Sequence, residues 1–225
     1  MLSHLMLTGL LFASSGFHGA TLSFYGEHVH DSGTYEARLK HLAGVGAQSV
    51  SFVVFWSLKD IHDDGVRASD AELALEPVLI RSIRQARALG LTVMLMPVIR
   101  LEAMRDGEWR GKLSPRRPNR FWQSYRSFVV HYATIAQREG VSLFSVGSEL
   151  SSLEHQELQW RKIIRAVRRV YRGYVTYSAN WDHFQQVPFW DALDFIGISA
   201  YFELTENRQA TENELVRSWR NIRLV

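Results

Sequence analysis

The feature that most constrains this chain is a repeated alternation: apolar runs of strand length, each followed by a segment with helical spacing. Residues 20–25 read as a first strand, and Tyr35 to Ala43 as a helix closed by Gly44 and Gly46. Ser49 to Trp56, SVSFVVFW, is the β-branched and aromatic run of a parallel strand buried on both faces. Ser69 and Glu72 have the spacing of a capping box, in which each side chain accepts the other residue's N–H. The helix expected over Pro77 to Leu89 puts Leu79, Ile83, Ala86 and Leu89 on one face, and Gly90 stops it. Leu91 to Ile99 reads as a third strand. A loop with Trp109-Arg110-Gly111 and SPRRP then leads to a helix over Phe121 to Glu139, stopped by Gly140. Val141 to Val146 is a fourth strand. Ser151 and Glu154 repeat the capping-box spacing before a helix ending at Gly173. Tyr174 to Ser178 and Phe195 to Ser199 are the fifth and sixth strands, and Thr211 with Glu214 opens a last helix.

Strict alternation means a parallel sheet with crossover helices, because a parallel neighbour is reached only by a long connection. An open doubly wound sheet and a closed barrel both satisfy this. No Gly-x-Gly-x-x-Gly follows the first strand, which disfavours a dinucleotide-binding sheet. Polar and aromatic residues instead gather behind the strands: Glu27, Trp56, Arg100, Glu149, Asn180-Trp181-Asp182 and Tyr201. Barrels build their sites from those C-terminal strand ends. The expected fold is α/β, a (β/α)8 TIM-barrel type. At about thirty residues per unit, the chain holds about six of the eight units, so roughly sixty residues of a closed barrel are not in it.

With 225 residues, 46% of them hydrophobic, the chain can bury one substantial core. It has no cysteine, which excludes disulfides and thiolate metal sites. The formal charge of +3 is spread along the chain; the arginines between 161 and 172 read as the wet face of a helix with Ile163, Ile164, Val167 and Val170 opposite. That pattern argues against a nucleic-acid partner. Leu5 to Ala13 is a short apolar run followed by small residues. It resembles a signal-peptide core without the preceding Lys or Arg, and is too short to span a bilayer. Residues 1–15 are therefore either such a segment, making the protein secreted or periplasmic, or a buried N-terminal stretch of a cytoplasmic protein. The partial barrel domain is expected over 16–225.

The candidate chemistry centres on Phe144 to Ser152, FSVGSELSS, where Glu149 directly follows a buried strand. Glycoside hydrolysis commonly uses two carboxyl groups. One protonates the leaving oxygen; the other, about 5 Å away, attacks the sugar in a retaining enzyme. Position makes Glu149 the candidate acid.

VGSELSS, WRG at 109–111, YSANWD at 177–182 and FWDALDFIGISAYF at 189–202 occur in that order. Together they resemble glycoside hydrolase family 113, the β-mannanase-like members of the large clan of retaining barrel glycosidases, from about Gly16 to the C-terminus. The resemblance implies hydrolysis of β-linked mannan or a related polysaccharide or oligosaccharide by retention, with Glu149 as general acid/base and no cofactor. It implies that Asn180, Trp181 and Tyr201 line the sugar site, with Trp109 and Arg110 over strand three and Trp56 after strand two; Arg100, at the end of strand three, joins the candidate substrate-binding residues by its strand-end position. The sequence departs from the family pattern in three places. Ser148 stands where Asn often precedes the acid. LMPVIRLE ends strand three where Lys-Pro-His is frequent. The family's nucleophile is a glutamate after strand seven, and Glu203, just past strand six, does not match its motif. These departures give the picture of a C-terminally truncated hydrolase whose 225 residues alone lack the nucleophile.

Two other readings compete. A non-catalytic carbohydrate-binding protein, or an inactive fragment, needs no nucleophile. A metal-dependent amidohydrolase-like barrel would use His28 and His30, which share one face of an extended segment, with His183 as the only later support. The partner expected in the main reading is a saccharide, with no membrane span and with association through open barrel edges.

Overall fold

The computed structural model describes residues 18–24 and 32–222. The signal-like run from Leu5 to Ala13, Glu27 and the histidines at 28 and 30 lie outside the described residues. Six strands form one sheet in the order β1-β2-β3-β4-β5-β6, every neighbouring pair parallel. They are β1 (Gly19–Ser23), β2 (Ser49–Leu58), β3 (Thr92–Leu101), β4 (Leu143–Ser148), β5 (Tyr174–Asn180) and β6 (Phe195–Ser199). The helices are α1 (Ser32–Gly44), α2 (Asp70–Ala74), α3 (Glu76–Ala88), α4 (Pro118–Glu139), α5 (Glu157–Val170) and α6 (Glu212–Ile222). Sequential order with parallel neighbours is the curled sheet of an incomplete (β/α)8 barrel. The expected alternation lapses between β5 and β6, which are joined by two 3₁₀ turns, Phe184–Gln186 and Trp190–Ala192, and no α-helix.

The strands alternate between two environments. Phe52 and Val54 of β2, Leu95 of β3, Phe144 and Val146 of β4, and Val175 and Tyr177 of β5 are buried in the core. From α4, Phe121, Tyr125, Phe128 and Tyr132 enter the same core, as do Trp160, Ile163, Ile164 and Val167 from α5. The other strand face lines a cavity of about 650 Å³ at the N-terminal strand ends, with Thr21, Ser51, Met94, Leu143, Tyr174 and Phe195 in its wall. No helix of the described residues is long and apolar enough to cross a membrane.

The capping box at Ser69 forms in full, with both reciprocal bonds present, although it caps the short α2 before the chain restarts as α3. Thr211 and Glu214 exchange the same pair of bonds. The one expected at Ser151 and Glu154 does not form. Ser151–Leu153 is a single 3₁₀ turn, α5 starts later at Glu157, and its N-cap Gln156 makes no side-chain cap. The carboxylate of Glu154 is taken instead by Tyr177, whose buried hydroxyl needs an acceptor.

Candidate functional site

The site grows from an irregularity in β4. Ser145 opposes Thr176 and Ser148 opposes Ser178, so three steps on β4 meet two on β5, a bulge. Ser145 stabilises it locally by donating from Oγ to the Gly147 carbonyl at 2.7 Å. Bulges bend a strand and re-aim the side chain that follows. The residue that follows is Glu149, which adopts φ 54°. For a residue with a Cβ, that left-handed region costs roughly 1–2 kcal/mol. Gly147 clears the space behind: a Cβ there would meet the Tyr125 hydroxyl at 2.5 Å and the Trp160 ring at 3.0 Å.

Hydrogen bonds hold the strained turn. The Glu149 N–H donates to the Ser178 carbonyl at 2.8 Å, and the Leu150 N–H donates to the Tyr177 hydroxyl at 2.8 Å. Tyr177 in turn donates to Glu154 Oε1 at 2.7 Å. Burial pushes the Tyr177 phenol well above the usual tyrosine range, and the neighbouring Glu154 charge pushes it the same way. Burial likewise raises the Glu154 carboxyl, against the pull of the Tyr177 hydrogen bond and of His183. Glu154 Oε2 has no hydrogen-bond partner among the described residues, with His183 Nδ1 at 3.6 Å.

The loop between β3 and α4 closes over this strand end. Arg110 Nη2 lies 2.6 Å from Glu149 Oε2, and its Nε donates to the Ser148 carbonyl at 3.2 Å. Ser152 Oγ donates to the Leu113 carbonyl at 2.8 Å, tying the same two loops together. The WRG spacing is a steric requirement, because a Cβ at Gly111 would sit 2.3 Å from ring carbons of Trp109.

The residues singled out from the sequence fall into distinct places. Glu149 and Arg110 form an ion pair. Asn180 ends β5 in register with Ser199, and its Nδ2 donates to Asp182 Oδ1 at 2.8 Å. Trp181 meets Phe202 edge-on at 5.7 Å, and Phe202 meets Trp219 of α6 at 6.2 Å. Tyr201 is exposed, as is Glu203. Arg100 ties β3 to β2, donating to Glu72 Oε1 at 3.2 Å and to Ser57 Oγ at 3.4 Å. Trp56 is the exception: its ring packs on Phe128, His131 and Tyr132 of α4, on the helix side of the sheet. The adjacent Ser57 bonds Glu72 of α2 instead, so the ring contacts of Trp56 are those of sheet-to-helix packing. No group of three metal-ligating His, Asp or Glu side chains gathers among the described residues.

Glu154 and Tyr177 were not legible as site residues. The available signal was a tyrosine on the helix-facing row of a buried strand, whose hydroxyl has to be satisfied inside the protein.

The model of Glycoside Hydrolase Family 113 matches residues 22–222. Among solved structures, a family 113 β-1,4-mannanase is 26% identical; the match covers 94% of this chain and 70% of that one, with a TM-score of 0.77. The family 113 β-mannanase AaManA from Alicyclobacillus acidocaldarius, in complex with ManMIm, is 31% identical over 93% of this chain and 67% of that one, with a TM-score of 0.73. An exo-β-1,4-mannosidase from an Opitutaceae bacterium shares the fold at 15% identity, over 73% of this chain and 32% of that one, with a TM-score of 0.51. No curated protein matches the chain.

Proposed function

The chain belongs to glycoside hydrolase family 113, and on that premise we propose that it serves the hydrolysis of β-linked mannan or manno-oligosaccharides with retention, Glu149 being the general acid/base. The observation that carries this reading is the Glu149–Arg110 pair at the C-terminal end of the fourth strand, in a chain whose relatives are described as β-mannanases. Arg110 occupies Oε2, which leaves Oε1 to hold the transferable proton. In the first step Glu149 gives that proton to the glycosidic oxygen as the C1–O bond breaks and a second carboxylate bonds to C1. In the second step ionised Glu149 takes a proton from water, whose oxygen attacks C1 and frees the second carboxylate. The resemblance puts that second carboxylate after a seventh strand, and the described sheet has six. Asn180, Trp181 and Tyr201 are the proposed sugar contacts, with Trp109 and Arg100 at the margin. The outer strands β1 and β6 each pair on one side only within the described sheet, and such edges favour association with another chain.

The test incubates residues 1–225 with manno-oligosaccharides and cello-oligosaccharides, alone and with azide as an external nucleophile. Preferential manno-oligosaccharide binding, with reducing sugar or glycosyl azide formed by the parent and lost in Glu149→Gln, is the expected result. Binding without turnover under either condition leaves a carbohydrate-binding protein, and absence of both overturns the reading.

A further inference from the structure

Glu149 is the only non-glycine with a positive φ among the described residues, so its carboxylate is placed by whatever holds that backbone. Two of the bonds that do so are of ordinary kinds: Glu149 N–H to the Ser178 carbonyl, and Arg110 Nε to the Ser148 carbonyl. The third is not. The Leu150 N–H is accepted by a side-chain hydroxyl, that of Tyr177, which reaches it from the fully buried helix side of β5.

We propose that Tyr177, braced by Glu154, is a positioning residue for Glu149, fixing the backbone just past the acid and so the place from which its carboxyl group works. The inference rests on the acid/base role proposed above for Glu149. A comparison within the molecule separates this from ordinary core packing. Tyr35, Tyr125 and Tyr171 each donate their hydroxyl to a main-chain carbonyl, of Ser23, Val146 and Val141. That meets the needs of a buried phenol without involving a charged group. Tyr177 gives its single hydrogen to Glu154 Oε1, which turns its lone pairs toward the Leu150 N–H. Glu154 fixes the direction of the hydroxyl. A residue only 3% exposed, whose Oε2 has no hydrogen bond among the described residues and has His183 Nδ1 3.6 Å away, is an expensive way to satisfy one phenol. Such departures from local economy concentrate at functional sites.

Tyr177→Phe deletes one oxygen and keeps the ring. Its effect is read on phenyl and dinitrophenyl β-mannosides with formate present, so that turnover does not depend on where the second carboxylate comes from. Formate oxygen bonds to C1 as the aryl oxygen leaves; phenol needs the proton of Glu149, and dinitrophenolate leaves without one. The expected result is a kcat on the phenyl substrate lower by about tenfold, with KM and the dinitrophenyl rate held. Equal loss on both substrates, or no loss on either, overturns the proposal. Glu149→Gln run alongside separates the two claims: if it does not discriminate between the leaving groups, it is the acid role that fails.

A second readout needs no turnover. With isotope-labelled glutamate carboxyl carbons, the resonance lost in Glu149→Gln identifies Glu149. That resonance should move in Tyr177→Phe, and an unmoved signal overturns the positioning role. Should Tyr177→Phe fail to melt cooperatively, Glu154→Leu, which removes the acceptor and leaves the tyrosine, should show the same shift.

Discussion

The Arg110 guanidinium stands 2.6 Å from the Glu149 carboxylate, joining the loop after the third strand to the end of the fourth. The Glu149 side chain is 12% exposed and that of Arg110 is 30% exposed. The pair is therefore shielded enough to matter and open enough for a ligand to reach.

Arg110→Met should lower stability by about 1–2 kcal/mol, between the values for exposed and buried pairs, because it leaves a nearly buried carboxylate without its partner. Urea unfolding measures this. An unchanged midpoint would mean that water replaces the guanidinium at no loss.

Glu149→Gln preserves size and removes the proton. On a phenyl β-mannoside, with formate supplied, its rate should fall by roughly 10²–10⁴-fold, while a dinitrophenyl substrate is spared. Equal rates for variant and parent on both would take Glu149 out of the chemistry.

The two strand-end tryptophans should separate cleanly. Trp56→Ala removes packing against Phe128, His131 and Tyr132 and should destabilise by about 3 kcal/mol, with manno-oligosaccharide affinity retained. Trp181→Ala should leave the melting temperature near that of the parent and weaken oligosaccharide binding by about tenfold, ~1.4 kcal/mol. Calorimetric titration and thermal melting of both variants check the assignment, and the reverse pattern would exchange their roles.

Burial raises the Glu154 carboxyl above the ordinary glutamate range, with Tyr177 and His183 offsetting part of the shift. The folded chain therefore holds that proton more tightly than the unfolded chain. The resulting stabilisation is complete at acid pH and is lost as pH rises through the folded-state value. Glu154→Gln keeps an acceptor for Tyr177 and does not titrate, so its stability should gain on the parent's as pH rises from the unfolded glutamate value, about 4.3, through the raised folded one. Denaturation midpoints across that range would show it, and a trend in favour of the parent would mean that the ion pair with His183 outweighs burial.

The sequence by itself determined the parallel sheet, its six strands and the place of Glu149. These follow from local periodicity: Val50 to Val54, Leu95, Phe144 and Val175 must leave water, and glycines such as Gly90 and Gly140 must end helices. It also determined the capping pairs at Ser69 and Thr211, which need only neighbours three residues apart. Tertiary structure decided which partner a polar side chain takes. Ser151 and Glu154 have capping spacing, yet Glu154 goes to Tyr177, 23 residues away. Arg110 reads as a sugar-site residue in the loop after the third strand and becomes the partner of a residue 39 positions later. Trp56 reads as a strand-end aromatic and turns to the helices, because register assigns alternate residues to opposite faces. A hydrogen bond or ion pair forms with whichever group the folded chain brings within about 3 Å, and sequence spacing fixes that distance only within a turn or a cap.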